Sequence, residues 1–154
     1  MTFLERVCDA LQRAGVRYAV VGGHAVALHG AVRGTLDIDI ALNWSRKALR
    51  DAEQALEGLG LESRLPVSAD EVFEFREEFM KKRNLVAWNF HNPRDLAEHV
   101  DIVLPYDLKG RKTKRITVGN TEVRVLSLDD LIAMKKDSGR AQDTADAEAL
   151  EKLQ

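Results

Sequence analysis

Several common architectures are excluded by what this sequence does not contain. A single cysteine, Cys8, stands among 154 residues, so no intrachain disulfide framework exists, and its place on an apolar helical stripe makes it a small core residue. No stretch is long and apolar enough to span a membrane, and the N-terminus lacks a signal-peptide pattern, so the expected compartment is the cytoplasm, with no membrane partner. Net charge is only −2, which gives no global attraction to nucleic acid. There is no internal repeat, low-complexity segment or linker. With a hydrophobic fraction of 45% and a charged fraction of 31%, the composition is that of a globular protein. Its length suits one domain over residues 1–154, with a C-terminal helical segment from about residue 127.

Charge is less even locally. Lys81-Lys82-Arg83 and the run from Lys109 to Arg115 are basic clusters; each is read first as a solvated loop and second as a polyanion contact.

Apolar spacing orders the rest. Thr2-x-x-Glu5 has the form of a capping box, followed by Phe3, Leu4, Val7, Cys8 and Leu11 at helical spacing until Gly15. A strand is expected over 16–21, a helix over 24–29, a strand over 36–42 and a helix over 45–59. A short strand at 61–65 precedes a charged helix from Ser68 to about Lys82, with Val72, Phe75 and Phe79 toward the core. Strands are expected over 85–90 and 99–104, the latter ended by Pro105, and 115–118 pairs with 121–126 around Gly119-Asn120. A helix capped by Ser127 runs to Gly139, and a last one from about Ala141 has Ala145, Ala149, Leu150 and Leu153 on its core stripe, with Asp143 and Asp146 on or beside it.

Chemistry concentrates in two places. Gly22-Gly23 joins a strand end to a helix, where glycines let backbone amides approach a phosphate and the helix dipole favours an anion. Asp37 and Asp39 alternate with Ile38 and Ile40, so both carboxylates share one strand face while the isoleucines enter the core. Such a like-charged pair needs something to offset its repulsion, and a divalent cation does so. Asp101 sits inside an apolar strand on the face opposite Val100, Ile102 and Leu104; it is either an edge carboxylate in water or a third acid aimed at the same place. Arg33 either meets a triphosphate or caps the glycine loop, and His24 either meets a nucleotide or fills a local hydrogen bond. Asp143 and Asp146, three apart on a helix, either neutralise Lys135, Lys136 or Arg140 or join the chemistry.

Val21-Gly22-Gly23-His24-Ala25, Arg33-Gly34-Thr35-Leu36-Asp37-Ile38-Asp39, and Leu131 to Lys135 with Arg140, Asp143 and Asp146 together resemble the nucleotidyltransferase superfamily of the DNA polymerase β type. Their arrangement is similar to its minimal bacterial branch, which includes AbiEii-type toxins. The resemblance implies an α/β (α+β) fold, a short mixed β-sheet flanked by helices. It implies Mg²⁺ held by Asp37, Asp39 and Asp101 as the catalytic acids, and a nucleoside triphosphate such as ATP held by Gly22, Gly23, Arg33 and Lys135. It further implies transfer of a nucleoside monophosphate to a hydroxyl of an RNA end such as tRNA, a protein or a small molecule. The alternative it leaves is a non-catalytic or regulatory member of a toxin–antitoxin pair that acts by binding its cognate partner. Two departures bear on substrate choice: Gly23 stands where many relatives have serine, and 154 residues are too few to include the added C-terminal domain with which larger relatives select an acceptor.

Overall fold

A computed structural model describes residues 1–30, 37–83, 85–138 and 140–154. Helix α1 (Phe3–Arg13) starts where Thr2 accepts a hydrogen bond from the Glu5 amide, and it buries Val7, Cys8 and Leu11. Strand β1 (Tyr18–Val21) is fully buried and runs directly into helix α2 (Gly22–Leu28). Strand β2 (Ile38–Leu42) leads to α3 (Arg46–Glu57), which is capped by Ser45 and buries Leu49, Ala52 and Leu56. Strand β3 (Glu62–Ser63), helices α4 (Ala69–Glu74) and α5 (Arg76–Lys82), and strands β4 (Ala87–Asn92) and β5 (Asp95–Asp107) follow. The chain closes with β6 (Thr113–Val118), β7 (Thr121–Leu126), α6 (Leu128–Ser138) and α7 (Ala141–Glu151).

Among the described residues the strands form one mixed seven-stranded sheet, ordered β3-β4-β5-β2-β1-β7-β6. β2 is central: antiparallel to β1 and parallel to β5. Parallel pairing of β1 with β7 and the β6–β7 hairpin complete one side, and antiparallel β4 and β3 the other. The α/β class and mixed sheet are those expected from the sequence. Alternation along β5 buries Val100, Ile102 and Leu104 and leaves His99, Asp101 and Val103 half-buried on the other face. The buried set joins Trp88, Phe90, Ile38, Ile40, Leu11 and Leu49 in one core.

Several strand ends differ from expectation by a few residues, and four departures matter for packing or the site. The helix expected over 68–82 is two helices that meet at Phe75, whose φ of −106° and ψ of 22° leave the helical range. Phe75 is consequently exposed, while Val72 and Phe79 are buried. β5 passes through Pro105 and ends at Asp107, because its pairing with β2 shifts between Ile40 and Leu42; the proline occupies a stretch where no ladder hydrogen bond is required of it. In α7 the buried stripe is Asp143, Asp146, Ala147 and Leu150, with Ala145 and Leu153 exposed. The helix turns its acids inward because Lys135 is there to receive them. Finally, α2 starts at Gly22, two residues earlier than expected, so both glycines lie in its first turn.

Candidate active site

Sheet register builds the site. Asp39 of β2 is the direct neighbour of Asp101 on β5, and Asp101 in turn is opposite Asn89 on β4. Register partners share a face at strand spacings of roughly 4.8 Å, so the three side chains line up across the sheet. Asn89 Nδ2 donates to Asp101 Oδ1 at 2.6 Å, which orients that carboxylate. Asp37 lies one residue before β2 and is over half exposed, whereas Asp101 is 15% exposed. Between them stands His99, with Nδ1 3.2 Å from Asp37 Oδ1 and Nε2 3.5 Å from Asp101 Oδ1.

The electrostatics follow from this crowding. Burial pushes the Asp39 carboxyl up to about 6, the neighbouring charges of Asp101 and Asp37 push the same way, and Lys135 and His99 pull it back. Three carboxylates thus crowd together across the neighbouring strands β2 and β5. Asp37, His99 and Asp101 each bring one donor atom, and those atoms lie within 4.8 Å of one another. Oxygen donors with excess negative charge are what a divalent cation requires, so the residues present fit one.

Gly22 closes the site from β1. Its φ is +68°, in the left-handed region, and a Cβ built there would lie 2.0 Å from Asp39 Oδ2. The position accepts only glycine on both counts. Val21, register partner of Asp39, is the N-cap of α2 and provides no side-chain cap; nor does the first turn carry an acid. By contrast α1, α3 and α4 are capped by Thr2, Ser45 and Ser68. The amides of the Gly22-Gly23 turn are therefore not engaged by a capping side chain.

Lys135 of α6 is buried at 7% exposure, with Nζ 3.0 Å from Asp143 and 3.3 Å from Asp146. Arg140 Nε donates to Asp143 at 2.7 Å, and Ser138 also donates to that carboxylate. Burial raises the Asp143 carboxyl, but hydrogen bonds from Ser138, Lys135 and Arg140 outweigh it and hold the group at about 2. This cluster ties α6 to α7. The same lysine acts electrostatically on Asp39, which makes the cluster a neighbour of the acid site. Arg33 lies outside the described residues.

A family profile described as "Nucleotidyltransferase of unknown function (DUF6036)" matches residues 3–152. The chain belongs to this nucleotidyltransferase family. No curated protein sequence matches it significantly. Among solved structures, lincosamide antibiotic adenylyltransferase LnuA aligns with a TM-score of 0.64 at 16% identity, over 99% of this chain and 96% of LnuA. The antibiotic-resistance factor ANT(2'')-Ia aligns at 0.61 and 14%, over 98% and 86% of the two chains. A Thermotoga maritima protein of the nucleotidyltransferase type aligns at 0.62 and 18%, over 97% and 88%. At these identities the likeness is one of fold.

Reading the nucleotidyltransferase from its sequence puts His99 on the Asp101 face by the period-two rule but gives it no role, and misses Asn89, an ordinary strand residue until β4 is aligned with Asp101. His91 lies in β4 opposite His99. Among the described residues no helix is long and apolar enough to cross a membrane.

Proposed function

We propose that the protein is a cytoplasmic Mg²⁺-dependent nucleotidyltransferase, moving a nucleoside monophosphate from a nucleoside triphosphate, ATP first among them, to an acceptor hydroxyl. The observation that carries this reading is the juxtaposition of acids: Asp37 and Asp101 bring donor atoms within 4.8 Å of one another, and Asp39, register partner of Asp101, lies against Gly22. Asp37, Asp39 and Asp101 would hold the cation. Magnesium, when bound, supplies Lewis-acid charge to the reacting phosphoryl oxygens and to the departing pyrophosphate.

The chain's own groups divide the remaining work. Gly22 and Gly23 offer uncapped amides to the triphosphate, with Arg33 and Lys135 assigned as further phosphate contacts. The acceptor oxygen attacks the α-phosphorus, forming a P–O bond as the bond to pyrophosphate breaks. Asp101, oriented by Asn89, is assigned the third ligand position and receipt of the hydroxyl proton.

The acceptor is an RNA end such as tRNA, a protein or a small molecule. Fold likeness to antibiotic adenylyltransferases favours a small molecule. The basic run favours RNA: Lys114 and Arg115 are exposed on β6, at the sheet edge away from β4. A purely binding role within an AbiEii-like toxin–antitoxin pair gives Asp39 no reason to remain ionisable beside two other acids.

The test is incubation of the protein with each α-labelled triphosphate and Mg²⁺ against total RNA, total protein extract and a panel of hydroxylated antibiotics. Label transfer that disappears in Asp37→Ala/Asp39→Ala supports the assignment. Absence of triphosphate binding by the wild type, or binding and transfer unchanged in the double variant, overturns it.

A further inference from the structure

His99 belongs to none of the sequence-derived roles, yet it stands among the carboxylates. Its side chain is 18% exposed, and Nε2 is buried without a hydrogen bond among the described residues. The two ring nitrogens have different surroundings. Nδ1 lies 3.2 Å from Asp37 Oδ1, and Nε2 lies 3.5 Å from Asp101 Oδ1, an oxygen already accepting from Asn89 Nδ2 at 2.6 Å. A buried ring nitrogen with no hydrogen bond, set against a carboxylate oxygen, is a donor atom available to a cation that both would share.

We propose that His99 is a ligand of the divalent cation, contributing Nε2 beside Asp101. The inference rests on the metal-dependent reading above and adds a nitrogen to its set of oxygens. Donors at bond lengths of about 2.1 Å lie at most about 4.2 Å apart around one ion, so donor atoms within 4.8 Å of one another need to close by only a fraction of an ångström. The chemical consequence is selectivity. Carboxylates alone suit Mg²⁺, whereas an imidazole donor raises affinity for transition ions. The site therefore takes Mn²⁺ more tightly than Mg²⁺, and His99 carries that difference.

Mn²⁺ alone is the probe, titrated into the purified full chain and followed by electron paramagnetic resonance, with electron spin-echo modulation to detect directly bound ¹⁴N. Saturable binding with imidazole nitrogen modulation is expected for the wild type. His99→Gln is expected to abolish the modulation and weaken Mn²⁺ about tenfold, with a change for Mg²⁺ of less than about threefold. His99→Asn is run beside it, so that a folding defect in one variant leaves the other to decide. His91→Gln is expected to keep the signal, since His91 lies opposite His99 in register but beyond the acid pair. No nitrogen modulation in Mn²⁺-saturated wild type, or modulation that survives in His99→Gln, overturns the assignment of His99 and leaves the metal reading standing. If Mn²⁺ shows no saturable binding, or binds Asp39→Asn/Asp101→Asn as well as wild type, the metal reading itself fails and His99 falls with it.

Discussion

Replacing Asp39 by asparagine is expected to stabilise the protein, and to do so only where the carboxylate is ionised. In the folded chain the group titrates at about 6, against 3.8 for its unperturbed value. The folded state thus holds this proton more tightly than the unfolded one, so stability from the protonated form is fully present below pH 3.8 and is lost as pH rises through 6. At 1.36 kcal/mol per pH unit, a shift of about two units means that ionised Asp39 costs the metal-free fold about 2–3 kcal/mol at pH 8. Asn keeps the shape and removes the charge. For a chain of this size the gain corresponds to roughly 5–10 °C in Tm. The assay is thermal unfolding of wild type and Asp39→Asn in chelator at pH 4 and pH 8. The variant should exceed wild type at pH 8 and match it at pH 4, and saturating Mg²⁺ should erase the difference by stabilising wild type alone. An equal gain at both pH values, or none at pH 8, would refute the claim that like charge and burial dominate this group.

Other substitutions probe the surrounding supports. Gly22→Ala must displace the Asp39 carboxylate, since the added Cβ would lie 2.0 Å from Oδ2 at a φ of +68°; label transfer should fall at least about 100-fold, with a stability loss of about 1–3 kcal/mol in urea titrations. Asp143→Asn removes a carboxyl held at about 2 in the fold against 3.8 unperturbed. Its contribution is present above pH 3.8 and is lost as pH falls through 2, so the variant should lose about 2–3 kcal/mol at pH 7 and visibly less at pH 3. Asn89→Ala frees the Asp101 carboxylate and should lower kcat roughly 10- to 100-fold with little change in triphosphate KM; a loss confined to KM would show that Asn89 serves binding instead.

What could be read from the chain depended on how locally each feature is encoded. The Gly119-Asn120 hairpin, the Thr2 and Ser68 caps and the face of Asp101 each follow from a few adjacent residues, and the structure bears them out. Phe75 could not be placed because its spacing fits a continuous helix, and only the break between α4 and α5 turns it outward. Pro105 reads as a strand end unless the register shift against β2 is known. The inward face of α7 was partly legible: Asp143 and Asp146 lie on or beside the expected stripe and pair with Lys135, one of the two readings open to them, whereas Ala145 and Leu153 of that stripe are exposed. Asn89 was not legible, since its significance depends on which strands become neighbours.

Charge links these separate features into one requirement. Asp37 and Asp101 act electrostatically on Asp39, which lies against Gly22, and the buried Lys135 that acts on the same group already contacts Asp143 and Asp146. An anion approaching the Gly22-Gly23 amides therefore meets ionised carboxylates as well as the favourable end of α2. On the metal-dependent reading, a divalent cation bound before the nucleotide or carried in with it would offset that repulsion. The raised Asp39 carboxyl fits the same reading: burial and the neighbouring acids cost the fold stability that a bound cation would restore. The acids that make the metal-free site costly would then be the groups that couple nucleotide binding to metal.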